Sequence, residues 1–279
     1  MKLVDAQAHI WAASRPDRPW PAGRAGQEHR VRPVSVRETL EVLNQAGVHG
    51  AVLVPPSWEG DRNDLVWAAA WLHPDRFAAM GRVRIDDLPD RARLSRWLAR
   101  RGNLGVRITL HTEPWHSRFA DGGLDSFWAA AEDSAVPVMV YAPGLLREFA
   151  ALCERHPGLR LVFDHLGLPL GTKGPAAFAG LPQLLDLARF PQVAVKASAL
   201  PCHSAHAFPF RDVHDSLRRV LDAFGPQRVF WGSDWTRLPC SYEENIRLFT
   251  EELPFLSGTD LEWVMGAGVM RWLSWTPEA

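Results

Sequence analysis

Residues Val229-Phe-Trp-Gly-Ser-Asp-Trp235 decide how this chain is read. Val229 to Trp231 is a short apolar, β-prone run, the pattern of a buried strand. Gly232 and Ser233 break it, and a carboxylate, Asp234, follows at its mouth. An acid at the carboxyl end of a late strand in an α/β chain is where a barrel enzyme keeps a base or a metal ligand. Asp also caps helices and makes turns, so the motif does not decide alone. The start of the chain, Leu3-Val-Asp-Ala-Gln-Ala-His-Ile-Trp11, adds a second short strand with a His near its end.

Between these two stretches the pattern recurs. Apolar strands begin near residues 3, 48, 77, 104, 136, 159, 193 and 229, each followed by a helical segment. The spacing suits βα units of about 30 residues, and eight such units without a linker predict one (β/α)₈ barrel spanning residues 1–279 as a single domain. A doubly wound open sheet is the alternative. No G-x-G-x-x-G or Walker glycine loop follows any strand, so nothing points to nucleotide binding. Ser35 with Glu38 reads as a capping box, and Asn63 as the cap of the next helix. Residues 12–33, with Arg15-Pro-Asp-Arg-Pro-Trp-Pro21, are too rich in Pro, Arg and Gly for a helix and read as a long lid or binding loop.

The 279 residues carry a net charge of −1, with 47% hydrophobic and 23% charged residues, which leaves no electrostatic footprint for nucleic acid or an anionic membrane. Three cysteines without CxxC spacing argue against a disulfide framework. No basic-then-apolar leader and no run of about 18 apolar residues occur, so a cytoplasmic location is expected. The expected partner is a small-molecule substrate, and a homo-oligomer is left open.

In a barrel, the residues just past each strand share one rim. They are Gln7 and His9, Trp58, Arg84, His111, Tyr141, His165, Lys196 with Cys202 and His203, and Asp234. Gln7 and His9 lie two apart and point the same way. Arg107 and Lys196, inside strands, read either as interior ions paired with acids such as Asp5 or as substrate contacts. Cys202, His203 and His206 have a C-H-x-x-H spacing but no fourth ligand nearby. His29, His49, His73, His116, His156 and His214 read as loop or helix-surface residues.

The Asp-Ala-Gln-Ala-His-Ile-Trp start resembles the Asp-x-His-x-His opening of the amidohydrolase superfamily. The Arg-Pro-Trp-Pro loop, Phe163-Asp-His-Leu-Gly167, Val193-Ala-Val-Lys-Ala-Ser198, Arg228-Val-Phe-Trp-Gly-Ser-Asp-Trp235 and Gly266-Ala-Gly-Val-Met-Arg-Trp-Leu273 are similar to the branch that includes sugar lactonases and 2-pyrone-4,6-dicarboxylate lactonase. The likeness runs from residue 3 to about 273. It implies His9, His165 and Asp234 as the catalytic set, and as ligands if a metal such as zinc is bound. Two positions depart from the pattern. Gln7 stands where the first His of the pair would be, and Tyr141 where a strand-five His would be. Gln is a poor ligand for zinc and Tyr an uncommon one, so no tightly bound divalent ion is expected.

The resulting expectation is a hydrolase that opens a lactone bearing a carboxylate or several hydroxyls. Asp234 would act as the base, with His9 and His165 polarising the carbonyl or serving the leaving group. Arg84, Arg107, Lys196 and Arg237 are candidates for a substrate carboxylate, with Tyr141, Trp58 and Gln7 as further contacts. The alternatives are a metal-dependent decarboxylase or lactone isomerase of the same superfamily, or a non-catalytic binding barrel.

Overall fold

The computed structural model describes residues 1–84, 87, 88 and 90–277. The apolar runs form strands β1 (Val4–Ala8), β2 (Gly50–Leu53), β3 (Phe77–Arg82), β4 (Asn103–Thr109), β5 (Val138–Tyr141), β6 (Leu161–Phe163), β7 (Val193–Ser198) and β8 (Val229–Gly232). They lie in one sheet in chain order, every neighbouring pair parallel. Helices fill the intervals: α1 (Val36–Gln45), α2 (Asp64–Leu72), α3 (Arg91–Leu98), α4 (Trp115–Ala120), α5 (Asp125–Asp133), α6 (Leu146–Arg155), α7 (Leu181–Asp186) and α8 (His214–Phe224). After β8 come α9 (Tyr242–Thr250), α10 (Gly258–Glu262) and α11 (Gly268–Leu273). This is a (β/α)₈ barrel, as the strand spacing predicts.

Inside the barrel, alternation along the strands separates packing from chemistry. Val4, Val52, Met80, Met139, Val162, Ala194 and Phe230 form one buried apolar cluster, joined by Val269 and Leu273 of α11. Two residues further along the same strands stand Arg82, Tyr141, Asp164 and Lys196, with Gly232 after Phe230. Period two keeps them on the inner face, one layer nearer the mouth.

The first strand reaches that layer by a different device. Its register against β2 slips between Asp5 and Ala8. Such an irregularity reverses which side chains face inward. Ala6 lies with the interior cluster, whereas Ala8 and Ile10 join the outer core between strands and helices. Gln7 and His9 are thereby turned toward the axis. Asp5 points the other way, and its carboxylate accepts from Gln7 N (2.9 Å), Ser233 N (2.8 Å), Ser233 Oγ and Tyr242 OH (2.9 Å). Together with Asp234 N donating to Gln7 O (2.8 Å), these bonds close the seam between β8 and β1. Gly232 fits the same seam, because a Cβ there would lie 3.0 Å from Gln7 Cβ and 3.1 Å from Ser198 Cβ.

Two local expectations change in detail. Ser35 accepts from Glu38 N (3.1 Å), but the Glu38 carboxylate pairs with Arg30 instead of closing the box. Asn63 precedes α2 without capping it through its side chain. Its amide is spent on the end of β3, accepting from Arg82 N (2.7 Å) and donating to Arg82 O (2.9 Å). A side chain that satisfies both groups of a strand end outcompetes a cap exposed to water.

If the Asp5 carboxylate holds the seam, Asp5→Asn removes its charge and replaces one accepting oxygen by an NH2, so two of the four donors must reverse their role or lose their partner. Urea denaturation should then show a loss of roughly 2–4 kcal/mol, the scale of broken hydrogen bonds to a buried charge. An unchanged midpoint would assign closure to the backbone bonds alone.

Candidate active site

Asp234 follows β8 at a left-handed backbone position (φ 50°), and its side chain is 1% exposed. Three imidazoles and one guanidinium surround its carboxylate. His9 Nε2 lies 3.3 Å and His29 Nδ1 3.8 Å from Oδ1. His165 Nε2 lies 3.8 Å and Arg237 Nη1 3.5 Å from Oδ2. Oδ1 has no hydrogen-bond partner. The two oxygens are thus unlike: Oδ2 faces a permanent cation, and Oδ1 makes no hydrogen bond.

Burial pushes the Asp234 carboxyl up, but the neighbouring His9, His29, Arg237 and His165 outweigh it and hold the group below the ordinary carboxylate range. The rings themselves are kept neutral, chiefly by burial, with His29 lowered to about 4 and His165 to about 3. Neutral rings carry no net charge, so Arg237 is the lasting positive charge beside Asp234. We therefore attribute the ionised state of Asp234 mainly to Arg237.

Hydrogen bonds determine the tautomer of His9. Nδ1 lies 2.6 Å from Val54 O, which can only accept, so the proton sits on Nδ1. Lys196 Nζ, which can only donate, gives to Gln7 Oε1 at 2.7 Å. The Gln7 amide therefore turns its N–H toward His9 Nε2, 3.3 Å away. Neutral His9 has no proton left for a substrate, and its lone pair is already in use. His165 Nδ1 bonds Ser198 Oγ at 2.8 Å. Like Asp234, His165 (φ 53°) is left-handed, and so is Ala199 (φ 53°) after β7.

The superfamily likeness implies a metal here, which His9, His165 and Asp234 would hold, and two of the imidazoles around Asp234 have nitrogens already engaged. Lys196 and Gln7 commit the His9 lone pair, and His29 Nδ1 is engaged at 2.8 Å by Thr236 Oγ1. Among the described residues no three of His, Cys, Asp or Glu converge at ligand geometry. The Cys202 loop also diverges: His203 bonds Thr172 O (3.1 Å), while the exposed His206 lies beside Asp212.

The remaining candidates separate by depth. Lys196 is wholly buried, 2.9 Å from Asp164, and Arg107 Nε bonds the other oxygen of Asp164. The acid of this interior pair is Asp164, not Asp5, because the slip in β1 turns Asp5 outward to the seam. Tyr141 is 3% exposed and spends its hydroxyl proton on Leu168 O (2.9 Å). Trp58 follows β2 and packs against His9 and His29. Arg84 is exposed and lines an outer groove of about 810 Å³ between α2 and α3, away from Asp234.

Arg82, two residues earlier and on the inner-facing parity of β3, borders the same groove from the barrel side. Its Nη1 donates to Thr109 Oγ1 (3.0 Å), which Arg107 Nη1 also reaches (3.1 Å). Arg82 Nε and His111 Nδ1 are buried without partners. Burial, followed by Arg107, Arg82 and Arg24, lowers His111 to about 4. Taking Arg84 as the residue just past β3 hid this parity. His29 was hidden by its loop, and the one signal for it was the length of residues 12–33.

Comparison with known proteins agrees with the fold. The amidohydrolase family model matches residues 4–267. The L-fucono-1,5-lactonase of Burkholderia multivorans is 29% identical over 258 residues, covering 86% of this chain and 85% of that protein. A zinc-bound amidohydrolase from Burkholderia multivorans superposes with a TM-score of 0.79 at 23% identity, over 99% of this chain and 100% of that one. A probable 2-pyrone-4,6-dicarboxylic acid hydrolase from Acinetobacter baumannii, with citric acid bound, gives 0.75 at 20% over 99% and 100%. These two likenesses speak to the fold, and the first shows that a barrel of this kind can carry a divalent ion.

Buried neutral histidines make stability depend on pH. In the unfolded chain a His takes up its proton near pH 6.5, whereas folded His111 resists down to about 4. Over that window the unfolded state binds more protons, so stability falls as pH falls and the effect is absent above it. Melting temperatures should drop between about pH 7.5 and about pH 5, and His111→Gln should shrink that drop. An equal drop in the variant would remove His111 from the account.

Proposed function

The chain belongs to the amidohydrolase family, and from that premise we propose that it hydrolyses a small lactone carrying an anionic group. The observation that supports the chemistry is the unpartnered Oδ1 of Asp234, buried beside neutral rings, with the Arg237 guanidinium on the opposite oxygen. A carboxylate so arranged accepts a proton at one defined atom.

In this reading a water at Oδ1 gives its proton to Asp234 as its oxygen bonds the lactone carbonyl carbon. The carbonyl oxygen takes up negative charge, which the donors of Arg237 stabilise in a site poor in water. Collapse breaks the bond between the carbonyl carbon and the ring oxygen. Asp234 then returns the proton to the departing alkoxide. The product is a hydroxy acid, which ionises at neutral pH and releases one proton to solvent. An alkoxide leaving group needs less assistance than an amide nitrogen, which suits a site without strong acid donors.

The anionic substituent is supported by Arg82 and Arg107. Two guanidiniums share the one Thr109 hydroxyl, Asp61 and Arg24 both lie near Arg82, and the Asp164 carboxylate is divided between Arg107 and Lys196. A carboxylate at this point would give Arg82 Nε an acceptor. No step calls for a tightly bound divalent ion, since Arg237 supplies the positive charge.

Asp234→Asn keeps the shape and removes the basic oxygen. Turnover of a lactone panel, followed by acid release with a pH indicator, should fall at least about a hundredfold. Near-normal turnover in a folded variant would move the base elsewhere. In parallel, activity should survive dialysis against a strong chelator. Stoichiometric zinc, with activity lost on chelation and restored by metal, would overturn the metal-free reading.

A further inference from the structure

Loop residues 12–33 deliver a side chain to the reacting carboxylate. His29 Nδ1 lies 2.8 Å from Thr236 Oγ1 and 3.8 Å from Asp234 Oδ1. Its ring stands edge-on to Trp58, with centroids 4.7 Å apart, and to His9 at 5.7 Å. The loop is held on both sides of this residue. Arg18 pairs with Glu59 in the β2–α2 connection and with Asp64 at the start of α2. Arg30 pairs with Glu38 of α1 at 2.7 Å, and its guanidinium lies 5.0 Å from the Trp235 ring centroid. Ordering a long loop costs conformational entropy, and these pins concentrate the order at His29.

We infer that His29 is a positioning residue, which together with Thr236 holds Asp234 Oδ1 in the orientation that receives the proton. The inference rests on Asp234 being the base. Oδ1 makes no hydrogen bond, and the Arg237 contact to Oδ2 is long, so little else restrains rotation of the carboxylate. The His9 and His29 rings wall Oδ1 instead. The tautomer of His29 follows from its neighbours. Bare His9 Nε2 already faces Oδ1 at 3.3 Å; a bare His29 Nδ1 would add a second lone pair there, whereas a protonated Nδ1 donates to Thr236 Oγ1 and leans toward Oδ1. His29 therefore carries its proton on Nδ1. An Asn side chain places an N–H near the position of Nδ1, and a Gln side chain places one near Nε2.

Steady-state kinetics of His29→Ala, His29→Asn, His29→Gln and Thr236→Val test this on whichever lactone the protein turns over. The expected result is a fall in kcat of about ten- to a hundredfold for Ala with KM little changed, the signature of lost alignment. Asn should recover most of the loss and Gln should not. The Ala and Val changes combined should cost no more than the worse one, because they break the same bond. If Asn is as damaging as Ala, or the double variant multiplies the two losses, the inference fails. Adding His29→Ala to Asp234→Asn separates the two readings. No further loss there supports action through Asp234, whereas a further loss overturns it. If Asp234→Asn alone retains turnover, it is the base assignment that falls. Melting curves for each variant establish that the compared proteins are folded.

Discussion

The Asp5 carboxylate is the contact on which this mouth depends. A parallel barrel must bring its last strand back to its first, and here β1 arrives with its register slipped by a residue. The slip frees the Gln7 amide from the ladder, and Asp5, two residues earlier, accepts it. The same carboxylate reaches across to Ser233 in the link that carries Asp234, and to Tyr242 on α9. Burial pushes the Asp5 carboxyl up and four donors oppose that shift, which leaves it at about 6. One acid thus ties the geometry of the Gln7–His9 pair to that of the Asp234 loop.

A second consequence of the slip is the polar chain behind the site. Arg107, Asp164, Lys196 and Gln7 run from β4 through the end of β6 and β7 to β1. Buried ions of this kind are weak contributors to net stability, because desolvation consumes much of their attraction. Their product here is orientation. An ammonium that can only donate determines which way an amide faces, and the amide determines which nitrogen of His9 is bare.

The barrel was legible in the sequence because its signal is repetitive. Eight apolar runs with helical intervals survive errors of a few residues in any boundary. Asp234, His9 and His165 were legible for a related reason: each follows a strand closely, and strand ends map to one rim. The residues that escaped depend on facts of a different kind. Arg82 and Arg84 are equivalent in composition, and which of them ends the strand turns on where β3 stops. Asn63 sits where a cap belongs, but a strand end competes for its amide. His29 lies 20 residues beyond His9 in a loop without periodicity, and only the folded path brings the two rings to 5.7 Å.

Three consecutive strands, β6, β7 and β8, hand over to their loops through the left-handed residues His165, Ala199 and Asp234. Each such residue with a Cβ costs the fold roughly 1–2 kcal/mol relative to a relaxed backbone. At His165 and Asp234 the strain cannot be relieved by glycine without deleting the group it presents. Ala199 bears no polar side chain, so there the same relief leaves the chemistry alone. With Asp234 as the proposed base, selection for folding and selection for reaction pull against each other at its corner and are uncoupled at Ala199. Ala199 is where this scaffold holds robustness in reserve, available to absorb the cost of new side chains elsewhere around the mouth.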